Sequence, residues 1–184
     1  MSKKLLLTAL VLCMLVFSIP ALAESTPAES KPATIPFGSF EAENIVDGEM
    51  LTEEYFAQAD ITLVNFWATW CGPCKAELPD LAKLNEMTEG RVQVMGILLD
   101  GVRDLTGTKD ERAIEDALLM FENAEADYAC VLPDAWLMQL SSIATSIPTT
   151  LAVDSEGNVL AMTVGSKTAE QWIAYVEAVA GAEK

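Results

Sequence analysis

Along this chain the apolar positions change their period several times, and each change marks an element. Residues 37–47 alternate loosely and end at Asp47-Gly48, which predicts an opening strand or hairpin. Thr52, followed by Glu53, Glu54 and Tyr55, predicts an N-cap and a short helix to about Ala59. Ile61, Leu63, Val64, Phe66 and Trp67 give residues 61–67 strong strand character, the mark of a buried strand. Gly72 and Pro73 stop that strand and open a helix, since a first-turn proline gives up an N–H that has no partner there anyway. Pro79 is expected to kink this helix, which continues through Leu81, Leu84 and Met87 at helical spacing.

A second apolar strand covers residues 91–99, and residues 101–108 read as a loop. Residues 109–123 predict a helix with Ile114, Ala117, Leu118 and Phe121 on one face. A short strand follows at 128–132, and Pro133-Asp134 turns the chain into a helix through Trp136, Leu137 and Leu140. Ile147-Pro148-Thr149-Thr150 leads into a strand at 151–153, and the turn at 154–158 returns it antiparallel along 159–164. Thr168 caps a last helix with Trp172, Ile173, Val176 and Val179 inward.

The order after a short N-terminal piece is β, α, β, α, β, α, β, β, α. It predicts an α/β domain over residues 36–184: a mostly parallel central sheet, helices on both faces, and an antiparallel hairpin at the C-terminal end.

The start of the chain has a different character. Lys3 and Lys4, the apolar stretch 5–17 and Ala21-Leu22-Ala23 read as a signal peptide over residues 1–23, with an uncleaved membrane tether as the other reading. Residues 24–35, rich in Pro, Ser, Thr, Ala and Glu, read as a flexible linker. The expected location is therefore extracytoplasmic, either periplasmic, on the outer face of the cytoplasmic membrane, or secreted. Loss of Lys3 and Lys4 with the leader leaves 9 basic against 28 acidic residues, a net charge of −19. That charge disfavours nucleic acid as a partner.

Histidine is absent from the chain, which removes Ser-His-Asp and Cys-His catalysis, histidine metal sites and histidine-ligated haem. Cysteine chemistry here has to work without an imidazole base. Of the four cysteines, Cys13 falls in the leader, leaving Cys71, Cys74 and Cys130. An odd count argues against a structural disulfide framework, and three thiols without histidine argue against zinc. Cys71 stands at the mouth of a helix, where free N–H groups favour a thiolate, the form that attacks disulfides. Cys74, one turn later, is within reach of Cys71 for a short disulfide. No cofactor is expected, because the thiols carry the electrons themselves.

Phe66-Trp67-Ala68-Thr69-Trp70-Cys71-Gly72-Pro73-Cys74 resembles the thioredoxin active site. With Lys75, Glu77 and Pro79 after it and Ile147-Pro148-Thr149-Thr150 downstream, the chain is similar to the exported TlpA/ResA-type branch, grouped with AhpC/TSA-like redoxins. The likeness extends over about residues 36–180 by element order, and it includes an extra helix and strand at 109–132 inserted in the thioredoxin-like core.

The resemblance implies a thiol–disulfide oxidoreductase in which Cys71 attacks and Cys74 resolves. It implies a cis-proline at Pro148 and backbone groups at Ile147 facing a substrate. Trp70, Gly72 and Pro73 would line the same place, and Trp67 is read either as groove or as core. Disulfide-containing client proteins and a membrane electron donor would be the partners. Gly72-Pro73 matches the reducing members.

Thioredoxins carry a buried aspartate where this chain has Asn65, which cannot take a proton from Cys74. Glu77, at i+3 from Cys74, matches a glutamate of the ResA-type branch and is expected to be a partly buried base, against the alternative of a solvated helix residue. Cys130 is expected to be a buried, inert thiol or else a third redox cysteine. Lys75 is either exposed or an electrostatic aid to the thiolate. Two other functions remain open at this point. One is an AhpC/TSA-type peroxidase, although Val64 and Ala68 occupy the Pro and Thr places of its Pro-x-x-x-Thr-x-x-Cys motif. The other is a non-catalytic thioredoxin-fold binding module.

Overall fold

The computed structural model describes residues 35–182. The leader reading at 1–23 and all but the last residue of the linker at 24–35 lie outside these residues. Among the described residues no helix is long and apolar enough to cross a membrane.

The fold is built around two strands whose residues are all buried, β4 (Ile61–Trp67) and β5 (Val92–Leu98). They lie side by side in parallel, Ile61 opposite Val92 and Trp67 opposite Leu98. Burial on both faces is why these runs carry no polar alternation. β6 (Ala129–Val131) adds in parallel to β5, with Gly96 opposite Cys130. On the other side β7 (Thr149–Asp154) runs antiparallel to β4, and β8 (Asn158–Val164) returns along β7. β1 (Ile35–Pro36) pairs with the start of β8, giving the order β1-β8-β7-β4-β5-β6. The sheet is mixed, parallel in its inner strands and antiparallel toward the C-terminal hairpin.

Residues 37–52 form a hairpin, β2 (Glu41–Glu43) against β3 (Met50–Thr52), around Gly48 at φ 79°. That backbone angle suits a residue without Cβ. The hairpin is latched to β6: Ile45 N–H donates to Cys130 O at 2.8 Å and Leu132 N–H to Glu43 O at 2.9 Å. The segment capped by Thr52 is a 3-10 helix, Glu53–Gln58. From it the Tyr55 hydroxyl donates to Val94 O at 3.2 Å, on the edge of β5 that the short β6 leaves open.

One face of the sheet packs Val64, Phe66, Met95 and Ile97 against an edge-to-face aromatic trio, Phe37, Phe40 and Phe56, and against α4 (Ala135–Ser141) through Leu137. The opposite face carries α1 (Gly72–Ala82), α2 (Leu84–Met87), α3 (Glu111–Asn123) and α5 (Ala169–Gly181). Leu81, Leu84 and Trp172 pack there on Ile61, Leu63 and Val92, while Leu78 and Phe121 pack on Trp67, Leu98 and Cys130. Each of these side chains removed from water stabilises the fold by about 1.5–3 kcal/mol, which outweighs any single polar contact at the surface.

Two local expectations change. α1 runs through Pro79 to Ala82, and the helix expected to continue to Met87 is interrupted at Lys83, whose N–H turns to Leu81 O before α2 begins at Leu84. Leu78 and Leu81 are both buried and hold the turn across Pro79, so Lys75 O loses its helical donor without the helix breaking there. In α3, Leu118 faces outward beside the exposed Leu119, and the packed face is Ala117 and Phe121 with Ile114 partly covered. The inserted helix covers the sheet with a narrower stripe than its apolar spacing suggests.

Candidate active site

β4 delivers the chain to the C-terminal edge of the sheet, where Leu99 N–H takes Trp67 O at 2.9 Å and β5 ends. The chain then bends. Cys71 N–H donates back to Ala68 O at 3.0 Å, and Thr69 is held by the Asp100 carboxylate, which accepts from its N–H at 3.2 Å and from its hydroxyl. The bend leaves Trp70 70% exposed beside Cys71, itself only 4% exposed.

Cys71 is the N-cap of α1, with extended backbone at φ −82° and ψ 107°. Cys74 N–H donates to Cys71 Sγ at 3.2 Å, so the sulfur occupies the place that a capping oxygen fills elsewhere. Cys71 and Cys74 are joined, S–S 2.10 Å with Cα atoms 5.3 Å apart. Gly72 and Pro73 are exposed over this pair, and Cys74 is fully buried beneath. Lys75 points to solvent.

The expected partner segment arrives from the other side of the fold. The Ile147–Pro148 peptide bond is cis, and Ile147 O stands 3.7 Å from Cys71 Sγ. Pro148 O accepts from Gly165 N–H at 2.8 Å, which ties the segment to the end of β8. Trp70, Cys71, Gly72, Pro73, Ile147 and Pro148 are thus gathered at one edge of the sheet.

Glu77 lies one turn beyond Cys74 and is 1% exposed, which decides against a solvated helix residue. Its Oε1 accepts from Asn65 Nδ2 at 3.0 Å and its Oε2 from Lys167 N–H at 3.2 Å. Asn65 Nδ2 also donates to Thr150 Oγ1 at 2.9 Å, across the β4–β7 pair in which the two residues are opposite. Burial pushes the Glu77 carboxyl up to about 7, against the pull of the Asn65 and Lys167 donors and the Lys167 charge, with Asp80 adding a further push upward. A carboxyl at that value can take or give a proton near neutrality.

Two sequence candidates fall elsewhere. Trp67 is core, fully buried and stacked on Phe121 at 5.7 Å. Cys130 is a free, fully buried thiol, pushed up to about 12 by burial. Its Sγ and the Trp67 indole nitrogen crowd Gly96, where an added Cβ would lie 3.5 and 3.1 Å from them. Among the described residues no three His, Cys, Asp or Glu side chains are grouped to hold a metal.

The residues that sequence reasoning missed are Thr69, Asp100, Thr150 and Lys167. Asp100 had a signal, being the first acidic residue after an apolar strand. Thr150 lay within the Ile-Pro-Thr-Thr stretch without a role. Lys167 had none, since its hydrogen bond to Glu77 comes from its backbone N–H.

Residues 35–162 match the AhpC/TSA family. The chain belongs to that family. It is 30% identical over 124 residues to the thiol:disulfide interchange protein DsbE homolog of Paracoccus denitrificans, a match covering 66% of this chain and 60% of that one. It is 50% identical over 40 residues to the thiol-disulfide oxidoreductase ResA of Oceanobacillus iheyensis, covering 21% of each chain. Its fold is similar to that of a thiol:disulfide interchange protein of the thioredoxin family from Chlorobium tepidum, with TM-score 0.64 and 22% identity over 80% of this chain and 97% of that one. It is also similar to StoA from Bacillus subtilis, with TM-score 0.57 and 21% identity over 78% of this chain and 99% of that one. The fold is thioredoxin-like, with the central sheet and two-sided helix cover expected above. The chain spans 60% of the length of the Paracoccus relative it matches, and its Cys71–Cys74 pair stands at disulfide distance.

Proposed function

We propose that this chain is an extracytoplasmic thiol–disulfide oxidoreductase that reduces disulfides in client proteins. One observation carries the reading: the Cys71–Cys74 pair opens α1 with a buried carboxyl, Glu77, one turn behind it. In the dithiol state the Cys71 thiolate is held by the Cys74 N–H and the open first turn of α1. It attacks one sulfur of the client disulfide; the other sulfur leaves as a thiolate and takes a proton from water. Cys74 then passes its proton to Glu77 and attacks Cys71 Sγ, which releases the second client thiolate. Two electrons have moved to the client, and Cys71–Cys74 is closed. A membrane electron donor returns two electrons to reopen it.

Trp70, Gly72 and Pro73 offer the client an exposed rim, and Ile147 and Pro148 offer main-chain groups beside the reacting sulfur. Export rests on the leader at residues 1–23. The matched relative from Paracoccus, named as an interchange protein, supports the activity.

Cys74→Ser stops the reaction at the mixed disulfide, so clients accumulate on Cys71 and are released by dithiothreitol. A variant that traps nothing and whose Cys71 resists alkylation would overturn the reading. Direction is read from the reduction potential: a reductase lies near the thioredoxin end of the scale, about −270 mV, and an oxidase near about −120 mV. Peroxide is not the expected oxidant, because Val64 and Ala68 replace the Pro and Thr that flank a peroxidatic cysteine. Two retained cysteines in bonding contact speak against a pure binding module.

A further inference from the structure

Glu77 has a fixed partner on each carboxylate oxygen, and the two partners differ in kind. Lys167 offers a main-chain N–H to Oε2. Asn65 offers a side-chain amide to Oε1, and that amide is anchored in turn on Thr150 Oγ1. Both Asn65 and Thr150 are about 1% exposed, so water does not compete for these bonds. A main-chain N–H can only donate. An amide can donate through Nδ2 or, turned about its last torsion, accept through Oδ1, and a hydroxyl such as Thr150 can follow either way.

We propose that Asn65 is the positioning residue for Glu77: with Thr150 behind it, its amide partners Glu77 in both protonation states and sets the pH range in which Cys74 is deprotonated. With Glu77 ionised, Nδ2 faces Oε1, as in this structure. With Glu77 protonated, the amide reverses, so that the Glu77 O–H and the Thr150 O–H both donate to Oδ1. A leucine at position 65 could serve neither state. An aspartate could not donate to the carboxylate and would place a second negative charge in the same niche. This inference rests on Glu77 being the base to Cys74.

The groups that face Glu77 are known from each element around it. α1 contributes Asp80, with Cys74 one turn before Glu77 on the same helix, β4 contributes Asn65, β7 contributes Thr150, and the β8–α5 connection contributes Lys167. Tyr128, just ahead of β6, feels the Glu77 charge as well. Asn65 is the strongest of the influences that hold the carboxyl down against burial.

The test uses the reduced full domain and 5,5′-dithiobis(2-nitrobenzoate). Cys71 attacks the reagent first and releases one thionitrobenzoate. Cys74 then displaces the second, closing the Cys71–Cys74 disulfide and yielding its proton. The pH profile of the second release reports Cys74 deprotonation without a client protein. For Asn65→Leu the midpoint moves upward by about one to two pH units, because a donor to a charged acceptor is lost, and the rate at pH 7 falls about five- to fiftyfold. Thr150→Val, which leaves the Asn65 amide unanchored, moves it the same way by a smaller amount and serves if Asn65→Leu does not fold. A purely structural role would lower thermal stability and leave the midpoint where it was. Glu77→Gln separates the two readings. If it leaves the profile unchanged, Glu77 is not the base, and the Asn65 inference falls with it. If Glu77→Gln moves the midpoint and neither Asn65→Leu nor Thr150→Val does, the Asn65 inference alone is overturned.

Discussion

Asp100 holds Thr69 from the neighbouring strand end: both carboxylate oxygens stand 3.2 Å from the Thr69 N–H, and one also accepts the Thr69 hydroxyl. Trp70 and Cys71 come next in the chain, so their presentation depends on a residue 31 positions away in sequence. Asp100→Ala leaves a partly buried N–H without its acceptor and is expected to cost about 1–3 kcal/mol in urea denaturation. The loss of activity should exceed what that destabilisation explains, with kcat/KM on a protein disulfide falling while the folded fraction at the assay temperature stays near one. Asp100→Asn keeps a carbonyl acceptor and recovers part of it. Unchanged kcat/KM in Asp100→Ala would confine this contact to stability.

Glu77 makes stability depend on pH in a direction unusual for a carboxylate. Its folded-state value is about 7 against an ordinary 4.5, raised chiefly by burial. Between those values the folded state binds more protons than the unfolded one, so stability is greatest below the unfolded value and declines as pH rises through about 7. The whole shift corresponds to about 3 kcal/mol. Glu77→Gln is neutral at every pH and escapes the decline. The stability of the variant relative to the parent, both oxidised and measured by urea at pH 5 and pH 8, is therefore expected to improve toward pH 8. A difference that stays flat would mean that Glu77 titrates near its ordinary value.

Much of this arrangement was legible because its physics is local. A two-sided apolar run must be an inner strand, so β4 and β5 could be placed before any contact was known. Cys71 at the mouth of a helix follows from Gly72-Pro73 alone. Pro148 was legible only through the family likeness, since nothing local sets its isomer. The burial of Glu77 was an expectation from one helical turn of spacing, and spacing cannot say what covers the helix. What covers it is β4, β7 and the Lys167 connection, which meet only in three dimensions. The same reason hid Asp100, and it hid the outward turn of Leu118, whose apolar side chain obeys the helical period but finds no neighbour.

Asp80 joins α1 to α5 by accepting the Ala169 N–H at 3.2 Å, at the first residue of α5. That N–H has no partner within its own helix, and a carboxylate at a helix N-terminus is stabilising. Asp80→Asn weakens this and is expected to cost about 1 kcal/mol. It also removes the negative charge that helps to push the Glu77 carboxyl upward. The pH midpoint of Cys74 reactivity should therefore move down in Asp80→Asn, opposite in sign to Asn65→Leu. Movement in the same direction in both variants would indicate general loosening of the site rather than electrostatic control of Glu77.

Cys130 is separated from exchange by burial rather than by distance along the chain. It lies in the same apolar cluster as Cys71 and Cys74, yet it is fully covered, and its thiol is pushed up to about 12. At neutral pH the thiolate fraction is then about 10⁻⁵, against a few per cent for an ordinary thiol, so both chemistry and access oppose reaction. In the oxidised domain lacking residues 1–23, and with them Cys13, 5,5′-dithiobis(2-nitrobenzoate) is expected to find no thiol in the native state and one in guanidinium. Cys130→Ala should leave the reduction potential of Cys71–Cys74 unchanged and reduce stability by about 1–2 kcal/mol through the space it opens beside Trp67. A thiol that reacts in the native state, or a disulfide linking Cys130 to Cys71 or Cys74 during turnover, would make it a third redox cysteine instead.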